Sequence, residues 1–449
     1  MEKIPLELAT LSPELLLEIA DQTDTQRDLN NLAQTCHRLY DLLNHYLYRR
    51  DIKMKWKKAP AISWGIKNGS PTTVEMALDA GADVHGQNKH GETLLEELFL
   101  SLRPSFSNLE QRYCISNAVD ILALLFDAGF DVNAEYAKSM TPLKAAIKSG
   151  CDSLVRLVVE KGADVVCLND EPEWTLNCVY GTLDVPTIAF LIKEGIKLTL
   201  IGKDGESVLH RAARRHRPLT CQFLIDSGIA VEIRSPSEQT PLIYMHSSIY
   251  RGESQTRYEN TVLTLIDNGA NINAIDVSGA TAFHHACANC PAKSIEFLLG
   301  HGLNRRIPDN NGRSGLIWAI KRHRHRSMPY LLDIGMNVNA RDDDGAPALH
   351  FAVTARSASI ATKIIAAGAD LDAQDMDGNT ALHMTEDDRV AAVLVKHGAN
   401  VTIRNDAGLT ALDFARSARK SSHLIRFLAK NDPEYLKLRA LALTGFFNP

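Results

Sequence analysis

The sequence lacks the short motifs with which several large enzyme classes hold a reactive group. It has no glycine-rich phosphate loop closed by Lys-Ser/Thr, no H-E-x-x-H and no G-x-S-x-G. Long apolar runs are missing too. None approaches the roughly 20 residues of a membrane span, and the opening MEKIPLEL has no secretory-signal run. Cysteine is sparse, with eight scattered through 449 residues, which reads as reduced thiols of the cytoplasm or nucleus rather than a disulfide framework. Positive charge is not in excess either. A net charge of -5 disfavours attraction of the whole chain to nucleic acid or an anionic membrane. An apolar share of 45% and a charged share of 23% suit a globular chain. Its length is beyond most single compact domains.

What the chain does have is repetition. In GADLDAQDMDGNTALH, Gly368 to His383, the first glycine can end a helix in the left-handed conformation. Residues Ala369 to Asp377 then run out as a finger, and Asp377-Gly378 is turn chemistry. Thr380 offers a hydroxyl to cap the next helix, Leu382 faces inward, and His383 can bond across to the neighbouring unit. Helix-ending glycines recur at Gly81, Gly129, Gly162, Gly195, Gly228, Gly269, Gly302, Gly335, Gly368 and Gly398. Most steps are 33 residues, with 48 from Gly81 to Gly129, 41 from Gly228 to Gly269 and 30 from Gly368 to Gly398. The Thr380 position recurs as Pro60, Thr93, Thr141, Thr175, Ser207, Thr240, Thr281, Ser314, Pro347 and Thr410.

Two landmarks sharing one period of about 33 residues, with Thr141-Pro142-Leu143, Thr240-Pro241-Leu242, Ser207-Val208-Leu209-His210 and Thr380-Ala381-Leu382-His383 at the unit starts, resemble the ankyrin-repeat family. The resemblance covers residues 58–430 and implies a mainly α-helical solenoid of about eleven helix-turn-helix units with short β-hairpin fingers. Residues 431–449 are expected to supply a capping helix and tail. Surplus residues at 102–117 and 249–259 fall where the two helices of a unit should turn.

Residues 4–50 do not fit the repeat. Ser12-Pro13 is a helix start, Glu14 suits the first turn, and Leu15, Leu16 and Ile19 make an apolar stripe. A second helix carries Leu29, Leu32, Cys36, Leu39 and Leu43 at three- and four-residue steps. Leu11, Glu14, Leu15, Ile19, Asp28, Leu29, Leu32, Ala33, Cys36, Arg38 and Leu39 match the F-box family pattern, in which a proline would stand at Ser12 and is instead Pro13. An F-box before ankyrin repeats is similar to an arrangement familiar from filamentous fungi. The resemblance implies docking onto a Skp-type linker of a cullin ubiquitin ligase through Leu11, Pro13, Glu14, Leu15, Ile19, Leu29, Leu32, Cys36 and Leu39. The other reading is that these helices only cap the open end of the array.

Three features of the array are candidates for function. Arg214, Arg215 and Arg217 in one unit, and Arg322, Arg324 and Arg326 three units on, occupy the same inter-helix position and could bind an acidic or phosphorylated partner. Solvated surface is the alternative. The fingers grow acidic at Asp309, Asp342 to Asp344, Asp375, Asp377 and Asp406. HHACANCP invites a zinc reading through His284, His285, Cys287 and Cys290. Register argues against it, because His284 is the histidine of the unit-start box and Cys290 holds the turn position of Gly150. No metal or cofactor is expected. The sequence therefore leads to a non-catalytic adaptor of a Skp–cullin–F-box ligase, its array recruiting a target protein. The alternative is an ankyrin interaction scaffold.

Overall fold

A computed structural model describes residues 61–85, 92–101, 112–135, 140–170, 183–197, 201–202, 204–247, 254–322 and 327–443. The chain divides into two compact units, Met1–Leu200 and Ile201–Pro449. In the first, helices pair as α1 (Ala61–Lys67) with α2 (Pro71–Asp79), α3 (Leu94–Ser101) with α4 (Arg112–Asp127), and α5 (Pro142–Ser149) with α6 (Asp152–Glu160). A 3₁₀ turn (Val166–Asp170) and α7 (Val185–Lys193) follow. Helices α1, α3 and α5 pack in one row, and α2, α4, α6 and α7 in a second.

The second unit continues the pattern with α8 (Val208–Arg214), α9 (Pro218–Asp226), α10 (Pro241–Tyr244), α11 (Gln255–Asp267), α12 (Ala282–Asn289) and α13 (Ala292–Gly300). Next come α14 (Gly315–Lys321), α15 (Met328–Asp333), α16 (Ala348–Thr354), α17 (Ala358–Ala366), α18 (Ala381–Met384) and α19 (Asp388–Lys396). The last three are α20 (Ala411–Ser417), α21 (Ser422–Asn431) and α22 (Pro433–Leu443). The inner row α8, α10, α12, α14, α16, α18 and α20 is unbroken, each helix packed on the next. Its core is the inward residue two places after each N-cap, as in Leu209, Leu242, Phe283, Leu316, Leu349, Leu382 and Leu412, all buried. Helix α22 covers the end: Tyr435 lies under the Arg416 guanidinium at 4.9 Å, and Glu434 takes a 2.9 Å ion pair from Arg404.

The helix ends obey the local chemistry read from the sequence. Gly368 closes α17 at φ 89, and Thr380 caps α18 with His383 completing a capping box. Two expectations need correction. The fingers are not extended β-hairpins: no strand forms among the described residues, and five fingers are closed by one isolated antiparallel bridge each, such as Gln374 with Thr380. Only five residues separate the bridge partners before the second becomes a helix N-cap, so the arms are too short to pair further. The surplus segments also do not lie wholly between helices. Helix α4 starts at Arg112 and α11 at Gln255, making them 16 and 13 residues long against nine in α6. The extra length of α11 is held by Tyr258, which is fully buried and sits 2.8 Å from His246 Nε2 through its hydroxyl. No helix among the described residues is long and apolar enough to cross a membrane.

Candidate protein-interaction surface

In four repeats of the second unit, one buried histidine of the inner helix locks it to the next finger. His210 receives the backbone N–H of Ser207 on Nδ1, and its Nε2–H donates 2.9 Å to the Gln239 carbonyl one repeat on. His284 does the same between Thr281 and the Arg313 carbonyl at 3.1 Å, and His383 between Thr380 and the Leu409 carbonyl at 3.0 Å. Burial holds all three imidazoles below their ordinary pKa, so each is neutral, with Nε2 carrying the proton that the carbonyl requires. His350 departs from this. Its Nε2 reaches the Asn379 carbonyl at 2.9 Å, but its N-cap is Pro347, with neither hydroxyl nor N–H, and Nδ1 is left without a donor.

The finger bases follow a second rule. Asp276, Asp309, Asp342 and Asp375 each accept two backbone N–H bonds on Oδ1, which fixes the turn. The other oxygen looks to the residue nine places on, in the inner helix. His285 Nε2 meets Asp276 Oδ2 at 2.8 Å, and Trp318 Nε1 donates to Asp309 Oδ2 at 2.9 Å. Burial opposes the charge on Asp276, yet the bonds from His285 and Ser278 hold its carboxyl well below the usual range. In the next two repeats the same position is Phe351 and Met384, which donate nothing. Asp342 instead faces Arg313 of the preceding finger at 3.6 Å, with that guanidinium 5.8 Å over the Phe351 ring.

Where the donors stop, a groove opens. Its volume is about 320 Å³, and its lining includes Asp342, Asp344, Phe351, Asp375, Asp377 and Met384, with His350 and Met376 alongside. Met376 at the finger tip is 73% exposed. The walls are stiff, because a hydrogen-bond ladder runs from finger to finger. Asn310 N–H donates to Ser278 O, Asp343 to Asn311 O, Met376 to Asp344 O and Asp406 to Asp377 O. The sequence shows the acidic fingers. Their convergence on an apolar floor depends on the nine-residue offset between finger and helix, a signal present in the sequence but not singled out from it.

The basic residues are dispersed among different tasks. Arg214 donates to Tyr244 Oη at 3.0 Å and lies over that ring, while Arg211 pairs with Glu206 at 2.9 Å. Arg215 is exposed, Arg217 is the half-buried N-cap of α9, and Arg322 is the exposed C-cap of α14. Arg324 and Arg326 lie outside the described residues, as do all the F-box-like positions from Leu11 to Leu39. The zinc-like set does not converge. His284 spans two repeats, His285 turns to Asp276, and Cys287 and Cys290 are buried, with Cys290 extended ahead of Pro291 rather than left-handed like Gly150. Among the described residues no group of three or more His, Cys, Asp or Glu is placed to hold a metal ion.

A family model for three-copy ankyrin repeats matches residues 254–342 and 284–375, and a single-repeat model matches 377–406. The B-cell lymphoma 3 protein homolog of Mus musculus is 28% identical over 122 residues, 26% of this chain and 25% of that protein. The transient receptor potential cation channel subfamily A member 1 homolog of Caenorhabditis elegans is 25% identical over 180 residues, 33% of this chain and 14% of that protein. Its Homo sapiens counterpart is 24% identical over 276 residues, 55% of this chain and 24% of that protein. The chain thus spans a quarter or less of the length of these relatives. Among solved structures, the human ASB11 ankyrin repeat domain is 27% identical, covering 51% of this chain and 98% of that one, with a TM-score of 0.41. The Bcl-3 ankyrin repeat domain is 26% identical, covering 50% and 99%, with a TM-score of 0.40. With the finger, the capped inner helix and the bridging histidine recurring on one period, the chain carries ankyrin repeats.

Proposed function

We propose that the chain is an adaptor whose repeats hold a target protein while residues 11–47 dock a Skp-type linker of a cullin ubiquitin ligase. Ankyrin repeats are generally non-catalytic interaction modules, and the observation that carries the reading is the rigid face of linked fingers and inner helices. A stiff, open face suits a protein partner better than a small substrate, which needs enclosure. The ligase half rests on the sequence pattern from Leu11 to Leu39. Docking requires part of that apolar stripe to be left for a partner helix, whereas a cap turns it all onto the first repeat.

Leu15→Asp separates the two. In an adaptor it abolishes capture of a Skp-type protein and leaves the melting temperature nearly unchanged. In a cap it strands a charge in apolar packing and lowers the melt. Wild-type protein that captures no linker, together with a collapsed melt in the variant, leaves the scaffold reading standing. The basic clusters are assigned to an acidic stretch of the target, Arg215 and Arg322 being the exposed members to replace. Arg214 is a poor choice, since its loss also removes the contact with Tyr244. Arg215→Ser with Arg322→Ser should weaken target capture, and added salt should mimic the loss. Undiminished capture at low salt would make them solvated surface.

A further inference from the structure

We infer that the groove between the fingers at residues 341–347 and 374–380 receives an arginine side chain from an extended segment of a partner protein. The inference rests on the reading of the repeats as a protein-binding face. Three independent observations lead to a guanidinium. The first is charge: Asp344, Asp375 and Asp377 line the groove, and Asp342 is already matched by Arg313. A nucleic-acid backbone or an acidic peptide would be repelled here.

The second is the break in the finger rule. Asp276 and Asp309 have their outer oxygens served by His285 and Trp318, but the place that should serve Asp375 is Met384. His350, only 3% exposed, lines the same cavity, and its donorless Nδ1 is itself buried beside the Pro347 cap. A groove-side carboxylate that lacks its helix donor calls for a ligand rich in N–H groups. The third is a precedent within the chain. Arg313 sits with its guanidinium over Phe351 and its Nε facing Asp342, so carboxylate beside ring face is a seat that this fold already fills once. One repeat further on, Asp375 has Met384 at the ring position and Ala346 at the position of Arg313, so the carboxylates beside Met376 and Met384 are left without an internal arginine, although Arg313 also lines the groove. Guanidinium suits this seat better than ammonium, because a planar fork can bond two carboxylates at once and its weaker hydration lets it lie against the methionine side chains. The cavity of about 320 Å³ also has room for a side chain with its stem.

The test uses the full chain labelled with ¹³C-methyl methionine, with Met376 and Met384 assigned by their replacement with Leu. The probe is an acetylated, amidated heptapeptide of glycine and serine with one central arginine, compared with versions bearing lysine, citrulline or glutamate. The arginine peptide should shift the Met376 and Met384 methyl signals saturably, and lysine more weakly. Citrulline, isosteric but uncharged, and glutamate should not shift them at the same concentration. Asp375→Asn should weaken the arginine peptide about tenfold. The finger tolerates that change, since Asn405 holds the equivalent place in the next repeat and accepts the Leu409 N–H at 3.0 Å. Unchanged signals from the other methionines check this. Equal shifts with citrulline, no shift with arginine at millimolar concentrations, or unchanged affinity in Asp375→Asn would each overturn the inference. Failure here with target capture intact leaves the adaptor reading standing, and arginine binding without any protein target sinks that reading alone.

Discussion

Pro347 shows how one side chain alters the economy of a repeat. It keeps the extended backbone of a helix cap, φ -80 and ψ 173, close to the -87 and 168 of Thr380, but supplies no hydrogen-bonding group to His350. Pro347→Thr should therefore restore the pairing seen at Thr380 and His383. A cap hydroxyl is worth about 1 kcal/mol, and satisfying a buried acceptor about 1–3 kcal/mol. Loss of proline rigidity offsets roughly 0.4–1 kcal/mol of this. The net expectation is stabilisation by about 1–3 kcal/mol, read as a raised denaturant midpoint, and a lowered midpoint would contradict the role given to Nδ1. Leu382→Ala tests the opposite sign. That side chain is 2% exposed at the seam of the inner row, and a buried large-to-small change costs about 2–5 kcal/mol.

Between helices, the buried imidazoles make stability depend on acid. His246, fully buried between α10 and α11, is pushed down to about 3 by burial, and its Nδ1–H is committed to the Leu242 carbonyl at 2.7 Å. His210, His284, His350 and His383 are lowered for the same first reason. In the unfolded chain these groups take up protons near pH 6.5, while the folded chain refuses them. Stability is then fully present above that pH and falls as acid is added, by up to about 1.4 kcal/mol per pH unit for a wholly buried group. The melting temperature should be flat from about pH 8 to 7 and drop from about 6.5 to 4.5, before most carboxylates titrate. A melt independent of pH in that window would count against the neutral bridging histidines. The period, the caps and the bridge made by His383 were legible in the sequence because each is a local residue preference repeated many times. The groove was less so. It arises where Phe351 and Met384 replace a donor, and this means something only once finger and helix are placed together. The same limit applies to the surplus at 249–259, where helical continuation was decided by the burial of Tyr258.

Within the second unit each repeat leans on its neighbours, so damage at one finger should stay local and divide the stack. Gly378 is the place to test this. It sits at φ 73, and a Cβ there would lie 2.5 Å from Asp406 Oδ1 and 2.7 Å from Asp406 N. That amide donates to Asp377 O, the last rung of the finger ladder. Gly378→Val thus forces a β-branched residue into the left-handed region and pushes apart the fingers that the rung joins. The strain alone is about 1–3 kcal/mol. In a stack with nearest-neighbour coupling, such a loss at one interface lets the terminal repeats open without the rest. Hydrogen exchange should therefore rise in 380–431, where α18 to α21 lie, while α8 to α13 keep their protection, and thermal unfolding should split into two steps. Uniform loss of protection across 204–431 would instead mean that the second unit folds as one cooperative block. The ladder would then be a consequence of its packing and not the means by which repeats support one another.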